Sequence, residues 1–362
     1  MSGRSPILCW HGSPATIDAA VQSTTAEGGS KTSVSDALVA LARSGMYDTV
    51  IEQDEWILAS EPLASHTSYR VGGPARWLAQ PPDIEQLARL VQRCRSNGID
   101  WHILGAGANL LVGDEGVDGM VIQLDTPAFR CVHWPASTDG DASEVGTVRV
   151  GGGADMMRLV GESVRRGWAG LEGLAGIPGT IGGIIRMNAG GRWGQIADVV
   201  SEVTVVDRDG QVRTLQPEAI RFGYRTSGLA GAIVCGATLR LRRGDPARLR
   251  KRLLSIWNTK KEAQPFNEPS AGCVFKNPPN ASAGALIDRA GLKGACVGNA
   301  RVSEKHGNFI VTAPGATAAD ILSLIALIRE RVAELFGIAL ETEIEMWGCA
   351  TEIGAMERAR GP

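Results

Sequence analysis

The sequence lacks the features of several protein classes. It contains no run of about 18 apolar residues, the length that a membrane-spanning helix needs. Its 37 lysine and arginine residues nearly balance its 39 aspartate and glutamate residues, so no basic surface for nucleic acid is expected. The N-terminus is too short and mixed in character for a signal peptide. We therefore expect a cytoplasmic protein that binds neither nucleic acid nor a membrane.

Metal ligands and paired cysteines are also scarce. The chain has five histidines and seven scattered cysteines, without a C-x-x-C motif. Because no His/Cys/Asp cluster has the spacing of metal ligands, we expect no metal. The cysteine pattern is typical of reduced thiols in a cytoplasm and not of a disulfide framework.

Glycine, in contrast, is abundant, and nine of the 46 glycines lie between residues 170 and 194. Each glycine weakens the interior of a helix or strand by roughly 0.5–1 kcal/mol relative to alanine, so this density predicts sharp turns and close approaches of the backbone. Pro178 adds rigidity, and the interleaved apolar residues predict a buried loop. The segment is either a wall for a large flat ligand or a set of tight turns between short strands.

A second glycine loop follows a predicted strand at 101–104. The run from Gly105 to Asn109 resembles the start of a dinucleotide fingerprint, but the third glycine is replaced by Leu110 and no long helix follows. The sequence therefore predicts a strand–loop–strand unit whose backbone N–H groups form a nest for an anion such as a pyrophosphate.

Periodicity and capping signals give the remaining elements. Strands are predicted at 68–75, 77–79, 120–122, 145–152, 199–207, 211–215, 231–242 and 339–347. Helices are predicted from Asp83 to Gly98 and at 154–166, 246–263, 283–290 and 317–336, the last ended by Gly337. Residues 35–59 carry helical spacing that we interpret as an appended helix or a linker.

Several motifs, in this order, resemble one family, the UDP-N-acetylenolpyruvoylglucosamine reductases of bacterial cell-wall synthesis. They span about residues 60–348 and are Tyr69–Ala75, Gly105–Asp114, Gly173–Gly190, Phe222–Ser227, Pro269–Pro278, Val302–Val311 and Leu340–Glu343. The strand-rich insertion that some members carry between the equivalents of Pro278 and Arg301 is absent, which implies the shorter subtype.

The resemblance implies an α+β fold. It comprises an FAD-binding domain of the vanillyl-alcohol-oxidase (PCMH) type in two subdomains, and an α+β C-terminal substrate domain. On this basis we expect an N-terminal extension, partly disordered, over 1–58, the FAD-binding domain over 59–245, the substrate-binding domain over 246–350 and a tail over 351–362.

The resemblance also implies a reaction. Non-covalent FAD accepts hydride from NADPH and passes it to C3 of UDP-N-acetylglucosamine enolpyruvate, and a protein acid protonates C2. The product is UDP-N-acetylmuramate, a precursor of peptidoglycan. We expect the enzyme to be a monomer.

Three catalytic residues follow from the matching motifs. Arg225 corresponds to the arginine of the F-G-Y-R motif, which holds the substrate carboxylate and stabilises developing negative charge. Cys273 stands where most members have a proton-donating serine, and a thiol is also protonated at neutral pH. Glu343 matches the glutamate of the closing motif, although Glu341 and Glu345 share its predicted face and remain alternatives.

The resemblance implies binding residues as well. For the flavin they are Arg70, Gly105, Ala106, Gly107, Ala108, Asn109, Ile177, Pro178, Gly179, Thr180, Gly182, Gly183 and Asn188, and for the substrate Tyr224, Lys276 and Asn277. Two departures weaken this set, because Ala108 replaces a serine and Gly191-Arg192-Trp193 replaces an Ala-Tyr-Gly sequence.

Two other functions stay open at this point. The chain is alternatively another flavin oxidase or dehydrogenase of the same superfamily, or a non-catalytic protein that binds a flavin or a sugar nucleotide. The intact motifs around Arg225, Lys276 and Glu343 argue against lost catalysis.

Overall fold

The computed structural model describes residues 54–135 and 144–350. One compact unit begins at Glu55. The predicted N-terminal extension up to residue 53 and the predicted tail lie outside the described residues.

The described chain alternates strands with helices. The strands are β1 (Ile57–Pro62), β2 (Pro74–Ala79), β3 (Trp101–Leu104), β4 (Leu110–Val112), β5 (Val117–Gln123), β6 (Val132–His133), β7 (Val145–Gly151), β8 (Trp168–Ala169), β9 (Gly190–Gly191), β10 (Gly194–Gln195), β11 (Val200–Val206), β12 (Val212–Leu215), β13 (Ile233–Arg243), β14 (Cys296–Val297), β15 (Ala300–Val302), β16 (Ile310–Thr312) and β17 (Glu345–Trp347). The helices are α1 (Ile84–Ser96), α2 (Pro127–Arg130), α3 (Met156–Arg165), α4 (Ile181–Arg186), α5 (Pro246–Ala263), α6 (Ala283–Arg289) and α7 (Ala318–Phe336). Short 3₁₀ turns lie at Leu63–His66, Glu172–Leu174, Ile196–Asp198 and Pro217–Ala219.

The first sheet has the strand order β1-β2-β5-β3, with β2 and β3 parallel to β5. Helix α1 begins as predicted at Asp83, whose carboxylate accepts the Gln86 N–H. The predicted strand at 68–75 is wrong over most of its length, because β2 starts only at Pro74. Arg70 and Gly72 have φ angles of 58° and 128°, which an extended strand does not allow.

The second sheet has the order β12-β11-β13-β7-β6, and β8 pairs with β13. The predicted hairpin is confirmed, since β11 and β12 pair antiparallel around the turn at Asp209 and Gly210. Helices α3 and α4 pack with this sheet into one apolar core.

The glycine-rich stretch is more ordered than a simple loop. It contains the short helix α4, which was not predicted, and the two-strand β9–β10 hairpin, which agrees with the alternative of tight turns between short strands. The burial is as predicted, because Leu171, Leu174, Ile181 and Ile185 are all 1% exposed or less. These apolar side chains anchor the segment in the core of the second sheet.

The C-terminal part has its own apolar core, built around α7 and the sheet β14-β15-β16. Helix α7 has the predicted ends. Thr317 and Asp320 form a capping box at its start, and Gly337, with a φ of 66°, ends it.

The predicted strand at 339–347 is only partly correct. Residues 345–347 form β17, which pairs in parallel with β4 as a separate two-stranded sheet. The preceding residues bond elsewhere, since the Glu343 N–H donates to the Val274 carbonyl and Thr342 forms one isolated bridge with Phe275. The segment therefore pairs first with residues 274–276 and then with β4, so it does not form one continuous strand.

Asp114 connects the glycine loop region to α7. Its two carboxylate oxygens accept the N–H groups of Ala318 and Ala319 at 2.7 and 3.1 Å. We expect Asp114→Ala to lower the free energy of unfolding by about 1–2 kcal/mol, because the first turn of the helix loses this acceptor. Urea denaturation checks this. Asp118→Ala is the control, because Asp118 is 86% exposed in its ion pair with Arg76 and should cost about 0–1 kcal/mol. Equal losses in the two variants would contradict the prediction.

Candidate active site

A cavity of about 1090 Å³ lies where the two glycine loops meet the C-terminal part. Its volume slightly exceeds the roughly 300–1,000 Å³ that is usual for small-molecule sites. The three predicted catalytic side chains, Arg225, Cys273 and Glu343, all line it. The structure thus brings Cys273 together with Arg225 and Glu343, which are more than a hundred positions apart in the sequence.

The first loop offers backbone donors to the cavity. The N–H groups of Ala106, Gly107 and Ala108 donate to no other described residue. Gly107 has a φ of 60°, and a Cβ there would lie 2.1 Å from the His66 carbonyl oxygen. The loop is therefore held in a conformation that only glycine fits, with its donors available to an anion.

The second loop faces the first across a narrow gap. A Cβ on Gly105 would lie 2.8 Å from the Thr180 hydroxyl oxygen. Among the described residues, the N–H groups of Gly179 and Thr180 also lack acceptors. Of the two interpretations of the glycine-rich stretch, the wall of a ligand site agrees with this geometry, although the tight turns are present too.

Arg225 and Glu343 form an ion pair inside the cavity. Nε of Arg225 lies 2.6 Å from Oε1 of Glu343, and the two side chains are 23% and 11% exposed. Nη1 of Arg225 donates to the Gly190 carbonyl at 3.1 Å. Arg225 has a φ of 58° in a tight turn closed between Gly223 and Thr226. Such a backbone conformation is costly for a residue other than glycine, and it directs the guanidinium into the site.

The environment of Cys273 favours the protonated thiol. Burial, together with the nearby Glu343, raises the pKa of Cys273 to about 12, although Arg225 and Asn308 act in the opposite direction. Burial also raises the pKa of Glu343, and Arg225 and Lys276 act in the opposite direction. The site therefore holds a neutral proton donor beside an arginine–glutamate ion pair.

Comparisons with known proteins agree with this geometry. Residues 75–216 match the family model of an FAD binding domain, and residues 264–347 match the UDP-N-acetylenolpyruvoylglucosamine reductase C-terminal domain. UDP-N-acetylenolpyruvoylglucosamine reductase 2 of Symbiobacterium thermophilum is 44% identical over 302 residues, which are 83% of this chain and 95% of that protein. The chain belongs to this reductase family.

Further relatives support the assignment to the reductase family. The Bacillus pumilus reductase is 38% identical over 295 residues, covering 81% of this chain and 94% of its own length. The crystal structure of the Thermus caldophilus reductase matches with a TM-score of 0.67 at 40% identity, over 80% of this chain and 98% of that one. The predicted α+β fold with an FAD-binding domain is confirmed.

FAD, the cofactor of this reductase family, fits the cavity. The unbonded N–H groups of Ala106, Gly107, Ala108 and Gly179 are suited to its pyrophosphate, and the volume accommodates a large ligand. Asn109 also lines the cavity, and its side-chain amide donates to the Glu343 carbonyl. This hydrogen bond holds the first glycine loop to the segment that carries Glu343.

Two residues expected to contact the flavin lie elsewhere. Neither Arg70 nor Asn188 is among the described residues that line the cavity. Arg70 is exposed on the turn before β2. Asn188 is 4% exposed, and its side-chain amide donates to Gln195 and to the Gly223 carbonyl. Asn188 therefore holds the turn that presents Arg225.

The three expected substrate residues gather at one edge of the site, outside the described lining of the cavity. Tyr224 is 59% exposed, and its hydroxyl oxygen accepts the Asn277 N–H at 3.4 Å. Lys276 pairs with Glu341 at 3.3 Å, and Glu341 is 78% exposed there. This edge joins the arginine turn to the segment that carries Cys273.

Some residues of the cavity escaped the sequence analysis. They are Arg186, Trp193, Lys260 and Trp347, and Arg186 forms an ion pair with Glu345, the alternative glutamate that also lines the cavity. Of these residues, Arg186 had the clearest signal in the sequence, because it is a charged residue inside an apolar, glycine-rich stretch.

The described residues 54–135 and 144–350 offer neither a cluster of metal ligands nor a helix that could span a membrane. They contain no group of three or more histidine, cysteine, aspartate or glutamate side chains arranged to hold a metal ion. None of their helices combines the length and the apolar character that crossing a bilayer requires.

Gly107→Ala should abolish FAD binding. Its new Cβ would collide with backbone atoms of His66 and Thr67. Backbone atoms cannot rotate away as the end of a side chain can, so the loop must leave its place in the cavity. We expect a purified variant without the visible flavin absorbance of the parent protein. Gly161→Ala is the control, because the nearest atom to its Cβ is the end of the Arg165 side chain at 3.7 Å. A yellow Gly107→Ala protein would contradict this role of the loop.

Proposed function

We propose that this protein is an FAD-dependent reductase that uses NADPH to convert UDP-N-acetylglucosamine enolpyruvate into UDP-N-acetylmuramate for peptidoglycan synthesis. The observation that carries the proposal is the Arg225–Glu343 ion pair beside Cys273 in a cavity walled by two glycine loops. We further propose a cytoplasmic monomer with an FAD-binding domain over 59–245 and a substrate-binding domain over 246–350.

The cofactor and the protein chain have different roles in the proposed reaction. When bound, FAD supplies the hydride transfer from NADPH to C3 of the enolpyruvyl group. The chain binds and orients the substrate, keeps water from the reacting atoms and provides a proton at C2.

Arg225 stabilises the charge that develops during the reaction. Hydride addition at C3 places negative charge on C2 and on the adjoining carboxylate of the substrate. A guanidinium is always charged and is matched to a carboxylate in shape, so Arg225 holds this group and lowers the barrier. The ion pair with Glu343 and the bond to Gly190 fix its orientation before the substrate arrives.

Cys273 provides the proton. Because its pKa is raised to about 12, the thiol is protonated throughout the physiological range. The carbanion at C2 is a much stronger base than a thiolate, so the transfer is favourable, and Arg225 lies near enough to stabilise the thiolate that results.

Glu343 is the best supported of the three candidate glutamates. It contacts Arg225 in the cavity, whereas Glu341 points to solvent beside Lys276, and Glu345 pairs with Arg186. The charge of Glu343 acts on the Cys273 thiol, and we assign to Glu343 the return of a proton to Cys273 between turnovers.

The substrate binds with its nucleotide toward the edge formed by Tyr224, Lys276 and Asn277. Lys276 is 43% exposed and offers a cation for a phosphate, and the Tyr224 ring offers an apolar face. The remaining groups of the substrate then extend from this edge toward Cys273.

The direct test is NADPH oxidation by the purified yellow protein, with and without UDP-N-acetylglucosamine enolpyruvate. We expect oxidation that depends on this substrate, with UDP-N-acetylmuramate as the product by mass spectrometry. A yellow protein that ignores the substrate would instead indicate another flavin oxidase or dehydrogenase. A colourless protein that takes up no FAD would refute the proposal.

A further inference from the structure

One corner of the cavity is built around Trp193. Arg192 and Trp193 form the turn between β9 and β10, and Trp193 lines the cavity together with Lys260 of α5. The same hairpin contains Gly190, whose carbonyl accepts a hydrogen bond from Arg225. Because a chain spans at most about 3.3–3.6 Å per residue, the backbone of Trp193 lies within roughly 11 Å of Gly190. The corner is therefore close to the reacting site but separate from the three catalytic side chains.

Lys260 is a half-buried cation that has no carboxylate partner among the described residues. Its ammonium donates one hydrogen bond, to the Ala175 carbonyl at 2.6 Å, and has two further N–H groups to offer. Burial lowers the pKa of Lys260 to about 8, and no carboxylate counteracts this shift. Because charges removed from water are normally paired, this position suits an anionic group of a ligand.

A second cation lies against the same indole ring. The guanidinium carbon of Arg192 lies 4.0 Å from the centroid of the Trp193 ring, and Nζ of Lys260 lies 5.5 Å from it. Arg192 is exposed and, like Lys260, forms no ion pair with a carboxylate in the described part of the chain. Two like charges held beside one ring repel each other, and an anion bound close to both offsets this repulsion.

Trp193 also borders a second pocket, which is basic. This pocket has a volume of about 380 Å³, and it is completed by one face of α5 with Arg248, Lys251, Arg252, Ser255 and Ile256. Arg252 is partly neutralised by Glu172 at 3.3 Å. Lys251 is exposed and has no carboxylate partner within residues 54–135 and 144–350. A ligand that extends from the cavity past Trp193 therefore meets a second group of cations.

We propose that this corner binds NADPH, with its pyrophosphate at Lys260 and Arg192 and the additional phosphate of its adenosine in the basic pocket. This inference rests on the proposed function, for which it names the binding site of the hydride donor. Lysine and arginine supply charge-assisted hydrogen bonds to phosphate groups. NADH lacks the additional phosphate, so the basic pocket favours NADPH. The nucleotide of the sugar substrate is assigned to the opposite group of residues, at Lys276.

Reduction of bound FAD in the absence of the sugar substrate tests this site. Stopped-flow rates over a range of NADPH or NADH concentrations give the apparent Kd of each reductant. In Lys260→Met we expect both values to rise roughly tenfold, because both reductants contain a pyrophosphate that loses a charge-assisted hydrogen bond. Lys261→Met is the matched control and should leave both values unchanged, since Lys261 is exposed on the same helix and outside the described lining of the cavity.

A second variant separates the two reductants. In the double variant Arg248→Gln/Lys251→Gln we expect the Kd of NADPH to rise roughly fivefold and that of NADH to stay unchanged. Arg250→Gln removes a charge from the same helix but outside the basic pocket, so it should not alter the ratio of the two values. Equal weakening of NADPH and NADH in the double variant would overturn the inference, as would an equal change of this ratio in Arg250→Gln.

The second half-reaction identifies the occupant. FAD reduced with dithionite is reoxidised by UDP-N-acetylglucosamine enolpyruvate, and Lys260→Met should keep the wild-type Kd for this substrate. Weakened substrate binding with unchanged NADPH binding would assign the corner to the UDP group and overturn the inference.

The flavin itself provides a check on the variants. Lys260 also holds the Ala175 carbonyl in the second glycine loop, so visible absorbance must report bound FAD before Lys260→Met is compared. If that variant loses FAD, the double variant on α5 decides the question. A wild-type protein that NADPH does not reduce would refute the proposed function, whereas wild-type reduction with unchanged Kd values in every variant would refute only this site.

Discussion

Cys273→Ala should lose substrate reduction by roughly 10²–10⁴-fold, the usual contribution of a positioned general acid. The variant has no proton to give at C2, although the cavity that surrounds the reacting atoms remains. Reduction of bound FAD by NADPH does not use this proton and should keep its rate. Stopped-flow measurement of the two half-reactions separates these effects. Loss of both half-reactions would contradict the role of Cys273.

Cys273→Ser is the control for this experiment. A serine hydroxyl is smaller than a thiol but also carries a transferable proton. Serine is also the residue that the family resemblance implies for this position. We expect it to keep substantial turnover. An inactive serine variant with intact FAD binding would show that the site requires a thiol specifically.

Local signals made much of the fold predictable. Asp83 caps α1, and Thr317 and Gly337 bound α7, because these signals act within one turn of the chain. The hairpin at Asp209 and Gly210 was predictable for the same reason.

The errors arise where distant segments decide the structure. The segment from 339 to 347 has the alternation of a strand, but its backbone bonds first to residues 274–276 and then, from Glu345 on, to β4. The turn through Arg70 has strand-like composition, yet it must bend to fit beside the loop at Gly107, as the Ser68 N–H bond to the Gly107 carbonyl shows. Neither contact can be read from a window of neighbouring residues.

In the candidate site, too, local motifs were predictable and contacts between distant segments were not. The motifs supplied Arg225, Cys273 and Glu343 one at a time, whereas their convergence depends on packing of the C-terminal segment against the arginine turn. The position of Asn188 was beyond sequence reasoning, because its amide is used to hold the backbone at Gly223 instead of facing the cavity. A motif residue can thus support the site without contacting a ligand, by fixing the backbone that carries a catalytic side chain.

Arg225→Met should lower kcat for substrate reduction by roughly 10²–10³-fold, the usual cost of removing a group that stabilises developing negative charge. FAD binding should persist, because Arg225 lies outside the two glycine loops. Visible absorbance checks the bound flavin, and steady-state kinetics check kcat. The control is Arg213→Met, which removes an exposed arginine from its ion pair with Asp207 and should keep wild-type turnover. Equal turnover in Arg225→Met and the wild type would contradict the assignment.

The same variant should change how stability depends on pH. Arg225 opposes the rise in the pKa of Glu343, so its removal raises that pKa further. The folded state then holds a proton that the unfolded state releases near pH ~4.3. Stability is consequently retained below that pH and lost as the pH rises through the folded pKa. Adding Glu343→Gln removes the buried charge, so the double variant should recover stability at neutral pH while remaining inactive. If it recovered activity as well, the guanidinium would have no role in the reaction.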